Sequence, residues 1–260
     1  MKYFTFGASV RGSSHESSGK ECEDHHLCSS QNDMGIAVLS DGAGSAKFGG
    51  IGAKYVTQDV VEMYHSLDKQ LEPEKILRRL VEHASQMLNE QAKMNGEYVS
   101  DFACTLMISL LHEDQVYTAH IGDGSIVGYC EDSLQVISEP YNGEYVNETI
   151  FLTSPGYLES LRINHAKHCS YLALFTDGLQ RSLLSSNLGK KVPDNNFFAP
   201  LFTFADSVID EVFGSQKILE LLKSERVSSV SDDDKTLVLI RFKPNLNNET
   251  DLDEANTDLI

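Results

Sequence analysis

Five acidic sites in this 260-residue chain share one feature: each carboxylate stands at the edge of a strand-like apolar run. Glu23-Asp24 precedes His25-His26-Leu27, and Asp41 follows Ile36 to Leu39 in VLSDGAGSAKFGG. Asp123 lies in HIGDGS and Asp177 in LALFTDGL, while the triplet Asp232-Asp233-Asp234 opens the run Leu237 to Ile240. If these strand ends converge, four or five carboxylates share one small volume. Bare, they repel one another and some must keep their protons. Hard divalent cations remove the conflict, and an all-oxygen donor set suits Mg²⁺ or Mn²⁺ rather than zinc. Glycine after Asp41, Asp123 and Asp177 lets the backbone turn sharply and admits a carbonyl or an ion at close range. A single Asp-Gly is more often a turn than a ligand; the weight rests on the set. Asp232 and Asp234 read as solvated neighbours of Asp233 or as turn formers.

The elements that must position these groups are legible as periodicities. Strand-like alternation occurs in Phe4 to Val10, Ile36 to Leu39, Leu106 to Leu110, Val116 to His120, Ile126 to Gly128, Leu172 to Leu174 and Leu237 to Leu239. Helical spacing links Ile51, Tyr55, Val56, Val60 and Met63, and again Ile76 through Leu88, from the Pro73 turn to Gly96. A third stripe, Val208, Ile209, Val212, Phe213, Leu219 and Leu222, reads as one helix weakened by Gly214. Runs of short strands between clustered helices predict an α+β fold with sheets packed face to face and helices outside. One domain over residues 1–243 is expected, followed by an acidic disordered tail over 244–260. Ser185 to Asn196 is expected to be a mobile surface loop.

A formal net charge of -18 opposes binding to nucleic acid or anionic membrane, both of which need basic patches. No stretch approaches a membrane span, and the alternating start of the chain lacks the apolar block of a signal peptide. Five scattered cysteines without a CxxC pair disfavour a disulfide framework and a zinc site, so a reduced, cytoplasmic protein is expected. GAGSAKFGG lacks the GK[ST] ending of a P-loop. DDDKTLV resembles a haloacid-dehalogenase nucleophile motif, but its apolar strand follows the aspartates instead of preceding them. His25-His26 could be metal ligands or partly buried strand histidines. Tyr145, Asn147 and Glu148 in GEYVNET read as structural or as part of a substrate rim.

Taken in order, CED, LSDGAGS, IGDGS, FTDGL and DDDKTLVLI resemble the protein phosphatase 2C (PPM) family over almost the whole chain. RGSSHESSGKECED, GAGSAKFGGIGA and GEYVNETIFLT suggest a bacterial subfamily. The resemblance implies a four-layer αββα sandwich of two antiparallel sheets flanked by helices. It implies that Asp41 bridges two divalent cations (Mg²⁺ or Mn²⁺), with the Gly42 carbonyl on one of them. Asp177 and Asp233 would ligate the first ion, and Glu23 would bind the second directly or through water. Asp24 would orient a water, and Asp123 with Asp177 would hold a third, weaker ion.

The activity implied is hydrolysis of phosphoserine and phosphothreonine monoesters on proteins by a water bridging two cations, without a phosphoenzyme. Ala43 stands where many relatives carry histidine, and Ser17 to Lys20 stand where many carry a phosphate-binding arginine. His15 or His25 is therefore the candidate proton donor, and Arg11, His15 or Lys20 the candidate phosphate anchor. The alternative is a catalytically weak module on the same fold that binds phosphoproteins or regulates a partner kinase. Phosphorylated proteins, with a cognate serine/threonine kinase or its substrates, are the expected partners; a small phosphorylated metabolite is a third possibility for the substrate.

Overall fold

Ile36 to Leu39 are buried without a break, whereas a strand with one wet face would alternate. Such a strand needs cover on both sides. The computed structural model of the chain supplies it with two face-to-face antiparallel sheets and helices outside them. Residues 3–31, 34–68, 70–141, 149–188 and 190–242 are described.

In chain order the first elements are β1 (Tyr3–Val10), the short α1 (Ser13–Ser18), β2 (Asp24–Gln31) and β3 (Met34–Asp41). Two long helices follow, α2 (Gly49–Ser66) and α3 (Pro73–Asn95). Then come β4 (Leu106–His112), β5 (Gln115–Ile121), β6 (Ser125–Cys130), β7 (Ser133–Ser138), β8 (Arg162–Ala166) and β9 (Cys169–Phe175). The chain continues through α4 (Gln180–Leu183), β10 (Leu184–Asn187), β11 (Lys190–Pro193), α5 (Asn195–Ser207), α6 (Glu211–Lys223), α7 (Glu225–Ser228) and β12 (Lys235–Phe242).

One sheet runs β2-β3-β4-β5-β8 and the other β1-β12-β9-β6-β7. Leu39, Met107, Val116, Ile126, Leu172, Val238 and Ile240 fill the space between them. On the first sheet's outer face lie α2 and α3, whose Val56, Val60, Leu77, Leu80 and Leu88 are fully buried. α5 and α6 cover the second sheet through Phe198, Phe202, Ile218 and Leu222. This is the expected four-layer sandwich. α3 behaves as its spacing predicts: Pro73 opens it where no N–H partner is needed, and Gly96 closes it at φ 68°.

Four expectations change. The helix expected from Val208 to Leu222 starts later, at Glu211: Val208 and Ile209 belong to the link between α5 and α6, and Asp210 caps α6 by accepting from the Val212 and Phe213 N–H groups. That cap resets the helix, so Ile209 and Val212 are exposed rather than core. Ser185 to Asn196 is no loose loop but the β10-β11 hairpin and the start of α5. Cys130 and Cys169, register partners on β6 and β9, are joined in a disulfide, against the expectation of a reduced chain; their separation of 39 residues gave no hint of this. Asp234 is buried rather than solvated. The tail over 244–260 and Tyr145, Asn147 and Glu148 lie outside the described residues. Among the described residues no helix is long and apolar enough to cross a membrane.

Candidate metal centre

The acidic strand ends meet at one end of the sandwich. Asp24 and Asp41 face each other as register partners on β2 and β3. Asp123 occupies the turn between β5 and β6, where the chain crosses from one sheet to the other, and Asp177 follows the end of β9. Carboxylate oxygens of Asp41, Asp123 and Asp177 all lie within 4.8 Å of one another. Asp233 precedes β12 and is exposed. It is not part of that tight trio, although its charge acts on all three members.

Local chemistry explains how each group is held. The Asp41 N–H donates to Thr105 Oγ1 at 2.9 Å, and the Thr105 N–H returns a bond to the Asp41 carbonyl at 2.8 Å. Gly42 follows with no room for a side chain, since a Cβ there would collide with the backbone of Gly49 at the start of α2. The same is true of Gly178 against the Asp234 carbonyl. These two glycines let backbone approach backbone beside the acid groups. Asp123 accepts from Thr149 Oγ1 at 2.5 Å, and its carbonyl accepts from the Gln180 amide. The buried Lys235 ammonium donates to the Ser231 and Asp233 carbonyls, closing the turn that carries Asp233.

Asp24 is buried between the sheets. One oxygen accepts from Thr176 Oγ1 at 2.9 Å and Thr236 Oγ1 at 2.8 Å, while the other has no partner. Asp234 accepts from the Gly12 N–H at 2.7 Å and the Glu23 N–H at 2.6 Å, and it meets His15 Nδ1 at 2.9 Å. His15 Nε2 lies 3.4 Å from Glu23 Oε2. Lys20 Nζ is 3.5 Å from that same oxygen and donates to the Gly44 carbonyl at 2.7 Å. Arg11 donates to the Lys20 carbonyl, bracing the linker into β2. His25 points the other way, to Thr57 on α2 at 2.6 Å.

Thus Glu23, His15, Lys20 and Asp234 form one connected group, while Asp24 is held separately by Thr176 and Thr236. Asp234, Thr105, Thr149, Thr176 and Thr236 are contributors that motif reading missed. A signal existed for several of them. Counting by twos from inward-facing Val238 and Ile240 puts Thr236 and Asp234 on the inner face. Leu172 and Leu174 do the same for Thr176.

The electrostatics are those of crowded carboxylates. Burial first, then the charges of Asp24, Asp177, Asp123 and Asp233, hold the Asp41 carboxyl well above the usual range. Burial outweighs the two threonine donors and pushes Asp24 up to about 8. Burial, then Asp123 and Asp233, push Asp177 up to about 7. An unpartnered buried oxygen on Asp177 and another on Asp24 complete a donor set suited to a hard cation.

A pH dependence follows. In chelator, folded Asp24 and Asp177 keep protons that an unfolded chain releases near pH 4. Unfolding therefore releases protons, and the stability these groups contribute is full below about pH 4 and lost as pH rises through 7 to 8. The melting temperature in EDTA should fall from pH 5 to pH 8, and excess Mg²⁺ or Mn²⁺ should oppose that fall. A flat profile in EDTA would contradict the clustering.

Comparison with known proteins agrees with this geometry. Residues 11–223 match the sequence profile described as Protein phosphatase 2C. Serine/threonine-protein phosphatase 3 of Escherichia coli (strain K12) is 31% identical over 250 residues, covering 89% of this chain and 95% of that protein. Among solved structures, a bacterial serine phosphatase superposes with a TM-score of 0.67 at 17% identity, over 93% of this chain and 98% of its own. The serine/threonine phosphatase Stp1 of Staphylococcus aureus gives 0.66 at 20% identity, over 92% and 95%. With its carboxylates gathered at one end of a two-sheet sandwich, the chain belongs to the protein phosphatase 2C family and is a serine/threonine protein phosphatase.

Proposed function

We propose that this phosphatase uses Mg²⁺ or Mn²⁺, two ions with room for a third, held by Asp41, the Gly42 carbonyl, Asp177, Asp233, Glu23 and Asp123. The observation that carries the reading is the trio Asp41, Asp123 and Asp177, whose oxygens lie within 4.8 Å of one another. Bound divalent cations acidify water and offset the charge of a phosphate monoester. The chain's own residues do the rest. Asp24, fixed by two threonine hydroxyls, has one oxygen left to accept a hydrogen bond from water and orient it. Asp234 takes the Nδ1 side of His15, so Nε2 is the nitrogen that can exchange a proton with a leaving alkoxide. Lys20, beside Glu23, and Arg11, which donates to the Lys20 carbonyl, supply positive charge for the substrate phosphate. The substrates are phosphorylated proteins, and a cognate serine/threonine kinase or its targets are the partners we infer.

Turnover of a phosphothreonine peptide and of p-nitrophenyl phosphate, titrated with Mn²⁺ after EDTA, tests this. Activity should vanish in chelator and return with metal. Metal binding without turnover would instead favour a phosphoprotein-binding module. His15→Ala and Arg11→Ala separate the supporting roles: unchanged turnover in either variant removes that residue from the chemistry.

A further inference from the structure

Outside the acid cluster, on the outer face of the second sheet, α5 and α6 leave an unfilled seam of about 280 Å³ between them. Leu201, Phe204, Ile218 and Leu221 line it, together with the exposed cations Lys217 and Arg226. Outside the groove, Ile209 and Val212 are 87% and 76% exposed, and Lys217 Nζ lies 5.7 Å from the centre of the half-exposed Phe213 ring. An unfilled apolar groove of this kind at the surface marks a contact site.

The chain itself provides an occupant. Arg241 at the end of β12 donates to the Ala205 carbonyl at 2.8 Å, the Asp206 carbonyl at 2.6 Å and the Val208 carbonyl at 3.2 Å. These bonds fix the last strand to the end of α5, so the chain passes residue 242 at the Phe204 side of the seam. Beyond it, residues 244–260 carry Glu249, Asp251, Asp253, Glu254 and Asp258, no basic residue, and the apolar Leu246, Leu252, Leu259 and Ile260. Fully extended at about 3.3 Å per residue, that segment reaches roughly 55 Å. The 13-residue α5 is about 20 Å long. Its charge also matches: in a protein of net charge -18, Lys217 and Arg226 stand at this seam, and Arg226 has no carboxylate partner among the described residues. The Lys217–Glu220 pair at 2.7 Å is exposed and weakly held, so it exchanges readily for another carboxylate.

We propose that residues 244–260 dock in cis along the α5-α6 seam, with leucines in the groove and carboxylates on Lys217 and Arg226. Because the chain contains no tryptophan, Leu259→Trp in the full-length protein gives a single reporter. Docking predicts a blue-shifted emission and a several-fold smaller acrylamide quenching constant than in the same protein carrying Lys217→Glu and Arg226→Glu, independent of protein concentration. Both substitutions are on the surface and touch none of the proposed ion ligands, so phosphopeptide turnover serves as the check on folding. An indole that is water-exposed in both proteins overturns the proposal, as does a shift that survives charge reversal. A blue shift lost on dilution also overturns it, because the segment then occupies a second copy's groove.

Discussion

Asp41→Asn should lower turnover of a phosphothreonine peptide by about 10³-fold at saturating manganese, roughly 4 kcal/mol of transition-state stabilisation. The substitution keeps the shape and removes the charge at the member of the cluster most surrounded by other carboxylates. Asp24, Asp123, Asp177 and Asp233 all act on it. Loss of a ligand and loss of a structural group are separable here. If Asp41 serves a cation, its carboxylate is a liability to the metal-free fold, so in EDTA at pH 8 the variant should melt above the native protein. Added Mn²⁺ should reverse the order, since binding at about 100 times Kd contributes about 2.7 kcal/mol to the native chain and little to the variant. Turnover within about ten-fold of native would remove Asp41 from the centre of the mechanism.

Why was that centre readable in advance, and its supports not? The ligand candidates announce themselves locally, as an aspartate at the end of an apolar run and often before glycine. What the run could not show is that β2 and β3 end together in register, or that the β5-β6 turn brings Asp123 across to Asp177. Pairing between distant strands depends on packing that no local pattern encodes, and the family resemblance supplied it. The threonines were missed for a different reason. Thr105, Thr176 and Thr236 lie in phase with inward-facing apolar residues, where a hydroxyl reads as a β-branched strand former. Only the neighbouring sheet reveals that two of them converge on Asp24. α5 was overlooked because NNFFAPLFTFADS carries a proline within it and lacks a clean apolar stripe. The helix after it begins at one residue, Asp210, whose side chain caps it where apolar spacing alone reaches back to Val208. Of the Asp232-Asp233-Asp234 triplet, motif order singled out the exposed middle member, while strand alternation would have sent the third inward.

That third aspartate should matter most for folding. Asp234→Ala is expected to cost about 3–5 kcal/mol in denaturant unfolding, the size associated with breaking a buried, charge-bearing network. Its side chain is only 4% exposed and holds three separate pieces of chain: the Gly12 N–H before α1, the Glu23 N–H before β2, and the His15 ring. Alanine strands both N–H groups in a dry site and frees His15. Asp234→Asn keeps an acceptor oxygen for one of them and should fall between the two. Asp232→Ala is the control, because Asp232 is exposed and receives Ser14 through its backbone carbonyl, at 3.0 Å from the N–H and 2.8 Å from the hydroxyl. Its loss should stay within about 0.5 kcal/mol. Equal costs at 232 and 234 would show that the turn, not the buried carboxylate, secures α1. If instead only Asp234 is costly, Glu23 and His15 owe their positions to a side chain that need not touch an ion, and the Asp234→Asn protein, still folded, should bind manganese more weakly than native.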